Sequence, residues 1–147
     1  MISPEQLRRY PYFANISEEA LKEVAMISDE TAAETGHTIF REDDPADAMY
    51  ILVDGEVDLK YTLGDGQQRV VDTIVAGELL IWSALVEPYR CQTTGVARKP
   101  CKLISIQGTK LRDLCAKNSD LGYRMMTSVT QCLATRLEGA RVQLATT

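Results

Sequence analysis

The chain has 147 residues, 45% apolar and 25% charged, which indicates one globular domain rather than a disordered or fibrous chain. Sixteen Lys and Arg face 21 Asp and Glu, a net charge of −5 that argues against a surface built for nucleic acid or an anionic membrane. One histidine leaves no His-rich metal site or catalytic His pair, and no run approaches the roughly 18 apolar residues of a membrane span.

Residues 1–31 read as a helical lead-in. Met1 to Tyr10 is polar, so no signal peptide is expected. Ser17 is placed to cap a helix with Glu18 and Glu19 in its first turn, where the helix dipole favours negative charge. Ala20, Leu21, Val24, Ala25 and Ile27 then share one face. Tyr10, Tyr12 and Phe13 read as packing residues.

Residues 32–106 read as short strands broken by turns. Thr38 to Arg41 meets the acidic turn Glu42-Asp43-Asp44-Pro45. Met49 to Val53 closes on Asp54-Gly55, a strong turn signal. Val57 to Tyr61 alternates apolar and polar, as a half-buried strand does. Gly64-Asp65-Gly66 turns the chain into Arg69 to Ile74, Ala76-Gly77 turns it again, and Cys101 to Ile106 is a last alternating strand. Such short, even spacing predicts an antiparallel sandwich or jelly roll. His37 reads as a surface turn residue.

Residues 107–147 read as C-terminal helices. Asn118-Ser119-Asp120 can cap a long one of about 25 residues, roughly 37 Å. Along it Met126, Val129, Leu133, Leu137, Ala140 and Leu144 continue a stripe from Gly122 at spacings of 4, 3, 4, 4, 3 and 4. A helix of this length outruns a roll of some 75 residues, so part of the stripe is expected to pair with a second copy as a homodimer, the alternative being that it packs on the chain's own roll. Arg98, Lys99, Lys102, Lys110, Arg112 and Lys117 form a basic run, read as a solvated face or a contact for an acidic protein partner. Residues 1–58 hold 14 acids and 4 bases, net −10, and residues 59–147 hold 7 acids and 12 bases, net +5.

Cys91, Cys101, Cys115 and Cys132 lie 10, 14 and 17 apart with no C-x-x-C pair, so neither a zinc nor an iron–sulfur site is expected. Free thiols in a reducing cytoplasm are the plain reading, with Cys91 the one candidate redox-sensing thiol.

Ile39-Phe40 followed by Glu42-Asp43-Asp44-Pro45-Ala46-Asp47, and then Met49 to Val57, resemble the entry blocks of the cyclic-nucleotide-binding domain family. Asp43 stands where that family usually has glycine. The match continues through Ala97 and Leu103 to Ile106 into the terminal helices. The resemblance implies an α+β fold over residues 1–147: an eight-stranded antiparallel β-jelly roll (a double-stranded β-helix) flanked by an N-terminal helix and long C-terminal helices.

It also implies a phosphate-binding cassette, in which the glutamate of a Phe-Gly-Glu triplet holds a ribose hydroxyl and an arginine about nine residues later pairs with the cyclic phosphate. Gly77 lies 22 residues after Gly55, the spacing of a Gly-Asp turn ahead of the cassette. The triplet then falls on Leu80-Ile81-Trp82. Nine residues on from Trp82, and six back from Ala97, both land on Cys91. The competing register, Gly77-Glu78-Leu79 with Arg90, needs a deletion and an insertion. Trp82 and Cys91 therefore replace both polar anchors. Two lost charge-assisted hydrogen bonds, about 1.5–3 kcal/mol each, correspond to roughly 10²–10⁴ in affinity.

Leu80, Trp82, Ser83, Ala84, Arg90, Cys91, Gln92 and Thr93 are thus the candidate ligand-binding residues. The expected function is a non-enzymatic sensory or regulatory domain that takes a small anion, cAMP, cGMP or a different one, and signals through its last helix. The alternative is a ligand-free interaction module whose pocket Trp82 plugs. No nucleophile–base set, metal set or phosphate loop is present. No helix-turn-helix follows Leu144, so no DNA reading by this chain is expected.

Overall fold

The computed structural model describes residues 1–146. Helix α1 (Pro4–Arg8) starts at Ser3, whose hydroxyl accepts from the Gln6 N–H while the Gln6 side chain accepts from the Ser3 N–H. A 3-10 turn, Pro11–Phe13, leads to α2 (Glu18–Met26), and Ser17 caps it by accepting from Ala20 N–H at 3.2 Å. Ala20, Leu21, Val24 and Ala25 are its buried face, as the periodicity predicts. Phe13 is fully buried, with Tyr10 and Tyr12 packed against the core.

Eight strands follow: β1 (Ser28–Ala33), β2 (Thr38–Phe40), β3 (Ala48–Asp54), β4 (Glu56–Thr62), β5 (Gln68–Val75), β6 (Leu79–Leu80), β7 (Thr94–Ala97) and β8 (Cys101–Gln107). They form two antiparallel four-stranded sheets, in the orders β1-β8-β3-β6 and β2-β7-β4-β5. This is the jelly roll the sequence predicts. Met49, Ile51, Val57, Ile74, Ile104 and Ile106 are all shielded to 1% exposure or less and make up its core. Burying each such side chain is worth about 1.5–3 kcal/mol.

The first strand begins inside the stretch read as helical lead-in. Its sequence, SDETAA, has four exposed residues between two buried ends and pairs with β8 alone. An edge strand of this kind carries no apolar alternation to read. His37 is exposed in the β1–β2 turn.

Gly55, between β3 and β4, has φ +104°, and a Cβ there would lie 2.5 Å from the Pro100 carbonyl oxygen. This is a turn that only glycine fits.

Helices α3 (Gly108–Lys117) and α4 (Ser119–Thr146) complete the chain. The Asn118 side-chain oxygen accepts from Leu121 N–H at 3.1 Å and so caps α4 as expected. With 28 residues α4 is about 42 Å long. Gly122 marks its crossing with α3, where a Cβ would stand 2.8 Å from the Cys115 carbonyl oxygen.

The stripe on α4 divides between two faces. Leu121, Met125 and Val129 face the protein's own core. A second, mostly apolar line is Tyr123, Met126, Thr130, Leu133, Leu137, Ala140 and Leu144, at spacings of 3, 4, 3, 4, 3 and 4, exposed except at the half-buried Leu133. Tyr123 and Leu137 are 70% and 52% exposed. Gly122 and Val129 leave the expected stripe because they pack inward, and Tyr123 and Thr130 take their places. The basic run is not one surface either: Arg98 and Lys99 approach Glu56, and Arg112 turns inward onto Ala84 and Tyr89.

Candidate functional site

The roll and α4 border an open-sided cavity of about 600 Å³. One wall comes from the segment after β6. Leu80 leads into Ile81, which has φ 61°, and the chain then makes a 3-10 turn, Trp82–Leu85. Left-handed backbone at a β-branched residue is costly, of order 1–3 kcal/mol, and is held here by its surroundings. It falls on the middle residue of Leu80-Ile81-Trp82. The turn itself is clamped to α3: Arg112 donates to the Ala84 carbonyl at 2.6 Å and lies over the Tyr89 ring at 4.1 Å.

The segment leading to β7 forms the next part of the wall. Cys91 N–H donates to Asp44 O and Asp43 N–H donates to Cys91 O, both at 2.9 Å, so the acidic turn after β2 fixes this stretch. Thr94 Oγ1 accepts from Glu42 N–H at 3.0 Å just beyond it.

Of the residues expected from sequence, Leu80, Trp82, Ser83, Cys91, Gln92 and Thr93 do line the cavity. Trp82 is partly buried and borders the cavity. Ala84 is fully buried behind the turn. Arg90 lies off the wall: it is exposed, and its guanidinium donates to the Asp43 carbonyl at 2.8 Å. A one-residue step along extended chain sends neighbouring side chains to opposite sides, and Cys91 takes the inward one.

Residues on α4 form the far wall, among them Cys132, Leu133, Arg136, Gly139, Ala140 and Leu144. A Cβ on Gly139 would meet nothing within 4 Å, so the wall is open there. Leu133, Ala140 and Leu144 also belong to the stripe expected to dimerise, and no sequence pattern singles out Arg136. Arg136 makes the ion pairs between α4 and the roll among the described residues. Its Nη1 contacts Asp72 Oδ2 at 2.7 Å and its Nη2 contacts Glu78 Oε2 at 2.8 Å. Each carboxylate is itself positioned, Asp72 by Thr73 N–H and Glu78 by Val75 N–H. Burial works against the Arg136 charge, and the Asp72 and Glu78 carboxylates overcome it, holding its pKa above the ordinary value. Tyr12 supports the same corner by donating to the Gly77 carbonyl at 2.7 Å.

All four cysteines are free thiols. Burial, helped by Asp44 and Asp47, pushes the Cys91 thiol up to about 11. A reactive sensor thiol needs the opposite shift. At pH 8 the Cys91 thiolate fraction is roughly a thousandth, against roughly a tenth for a thiol near 9. Iodoacetamide labelling of Cys91 in the folded chain is therefore expected to run at least about 100-fold slower than in a Cys91 peptide at pH 8. It should speed up about tenfold per pH unit toward pH 11, and peptide-resolved mass spectrometry measures both.

Among the described residues, no cluster of His, Cys, Asp and Glu is arranged to hold a metal ion, and no helix is long and apolar enough to cross a membrane.

Residues 30–118 match the family model for the cyclic nucleotide-binding domain. No curated protein matches the sequence. Among solved structures, a candidate cyclic nucleotide-binding protein from Geobacter metallireducens is 36% identical, with a TM-score of 0.85 over 93% of this chain and 99% of its own. The N-terminal domain of a transcriptional regulator from Streptomyces coelicolor is 27% identical, with a TM-score of 0.69 over 88% of this chain and 92% of its own. A cyclic nucleotide-binding domain from Methylobacillus flagellatus is 20% identical, with a TM-score of 0.80 over 97% of this chain and 81% of its own.

Proposed function

The chain belongs to the cyclic nucleotide-binding domain family, and on that premise we propose that it is a non-enzymatic regulatory module that takes a small molecule into the cassette cavity and signals occupancy through α4. One observation carries this reading: a single cavity has the cassette segments Leu80–Ser83 and Cys91–Thr93 on one side and α4 on the other. A molecule bound there touches both. Its differential contact with two positions of α4 is what converts binding into a signal.

The other reading, a ligand-free interaction module, requires Trp82 to fill this space, and the cavity of about 600 Å³ that Trp82 borders favours the ligand-binding reading over it. Free, protonated thiols fit a reducing cytoplasm. The exposed line from Tyr123 to Leu144 has heptad spacing, which suits a homodimer through α4.

Trp82 is the only tryptophan in the chain and lies on the cavity wall, so its emission reports occupancy directly. A panel of cAMP, cGMP, cyclic dinucleotides and uncharged ring compounds should contain at least one that shifts Trp82 emission and changes amide exchange along residues 132–146. A panel that changes neither refutes ligand-gated signalling. For the dimer, Leu137→Glu is expected to lower the sedimentation-derived mass from two chains to one without loss of helicity. A wild-type monomer at tens of micromolar would remove the dimer from the reading.

A further inference from the structure

We propose that this cavity selects an uncharged, largely apolar, ring-containing molecule and rejects cyclic nucleotides and other small anions. The inference rests on the ligand-gated reading above and names its ligand class.

An anion in a cavity needs an available cation or several aimed donors. Arg136 is the only Lys or Arg on the wall among the described residues, and both of its terminal nitrogens are taken by carboxylates at 2.7 and 2.8 Å. That three-residue cluster carries a net charge of −1. An anion drawing on Arg136 would have to share its guanidinium with two carboxylates already in contact with it and would meet a cluster that is net negative. Arg90, the cation beside Cys91 in the chain, is turned away onto the Asp43 carbonyl.

The opposite wall points the same way. Cys91 is 3% exposed, and the acidic turn that fixes its backbone through Asp44 O also carries Asp43 and Asp47. Burial first, and then the carboxylates of Asp44 and Asp47, oppose ionisation of the Cys91 thiol, so this part of the wall disfavours negative charge.

What the cavity does offer is apolar area. Phe40, Leu59, Leu80, Ile81 and Leu133 line it together with Trp82. A flat ring stacks on indole and gains from burial with no charge to desolvate. Ser83, Gln92 and Thr93 add neutral hydrogen-bonding groups that orient a carbonyl or hydroxyl. About 600 Å³ holds a drug-sized molecule.

Two dyes with one skeleton and different charge test this on the full chain: neutral N-phenyl-1-naphthylamine and anionic 1-anilinonaphthalene-8-sulfonate. Each is titrated by dye fluorescence and by quenching of Trp82, beside cAMP and cGMP. The neutral dye is expected to bind and quench Trp82, with the sulfonate and both nucleotides at least tenfold weaker. Ala140→Trp should weaken the neutral dye at least tenfold by filling the cavity. Asp72→Asn, which frees one side of Arg136, should strengthen the sulfonate several-fold. A sulfonate or nucleotide that binds wild type as tightly as the neutral dye overturns the ligand class and leaves ligand-gated function standing. An Asp72→Asn effect of zero overturns the electrostatic cause. Absence of binding by both dyes and both nucleotides overturns the proposal, and a Trp82 response to another molecule of the wider panel would show that ligand gating survives without it.

Discussion

Arg136→Ala is expected to free the second half of α4 from the roll while the jelly roll itself stays folded. The guanidinium bridges Asp72 and Glu78, which lie on either side of the Gly77 turn, and its own helix contributes no other ion pair to the roll among the described residues. Charge-assisted hydrogen bonds are worth about 1.5–3 kcal/mol each when shielded. Here the three side chains are 22%, 36% and 33% exposed, so solvent screens them and the pair together is worth about 1–2 kcal/mol. Removing the arginine also leaves two like charges close together. Amide exchange at residues 132–146 should therefore accelerate about tenfold, with exchange at the strand core unchanged. A double-mutant cycle of Arg136→Ala with Glu78→Gln separates the ion pair from simple loss of packing, and a coupling near zero would show that α4 is held by its apolar contacts alone.

The largest stability loss is expected at Gly55. Its φ of +104° disfavours any L side chain, and a Cβ would sit 2.5 Å from Pro100 O and 2.8 Å from Cys101 Sγ. Backbone cannot yield as a flexible side chain can. The conformational cost is about 1–2 kcal/mol and the steric cost about 1–3 kcal/mol. Gly55→Ala should thus lose about 3 kcal/mol, a fall in melting midpoint of about 6–12 °C for a domain of this size. Gly36→Ala is the control, with φ +88° and nothing within 4 Å of a Cβ. It should lose about 1 kcal/mol, and equal losses at the two sites would mean that the clash contributes nothing.

Where hydrophobic alternation and turn chemistry agreed, the fold was legible. Met49 to Val53 with Asp54-Gly55, and Cys101 to Ile106, became β3 and β8 because their apolar residues had one core to enter. β1 and β6 were not legible: the first is a polar edge strand, and the second has two residues and gains its identity only by pairing with β3 at Tyr50 and Ile51. At the site, counting from Gly55 and from Ala97 placed Trp82 and Cys91 together, and both line the cavity. Arg136 escaped because its partners are 58 and 64 residues away, and no local pattern marks a contact at that separation. The α4 stripe was read correctly as apolar but assigned to one face. Period alone cannot distinguish a side that packs on its own roll from a side left for another molecule when a helix presents both.

Leu133, Ala140 and Leu144 belong at once to the cavity wall and to the heptad line on α4. A second chain seated on that line would press on the same atoms that bound the ligand space. Association and occupancy then share one free-energy term, and reciprocity requires that each change the other by the same factor. The affinity measured for a ligand would therefore drift with protein concentration, and the sensitivity of the module inside a cell would be set by how many copies of it are made.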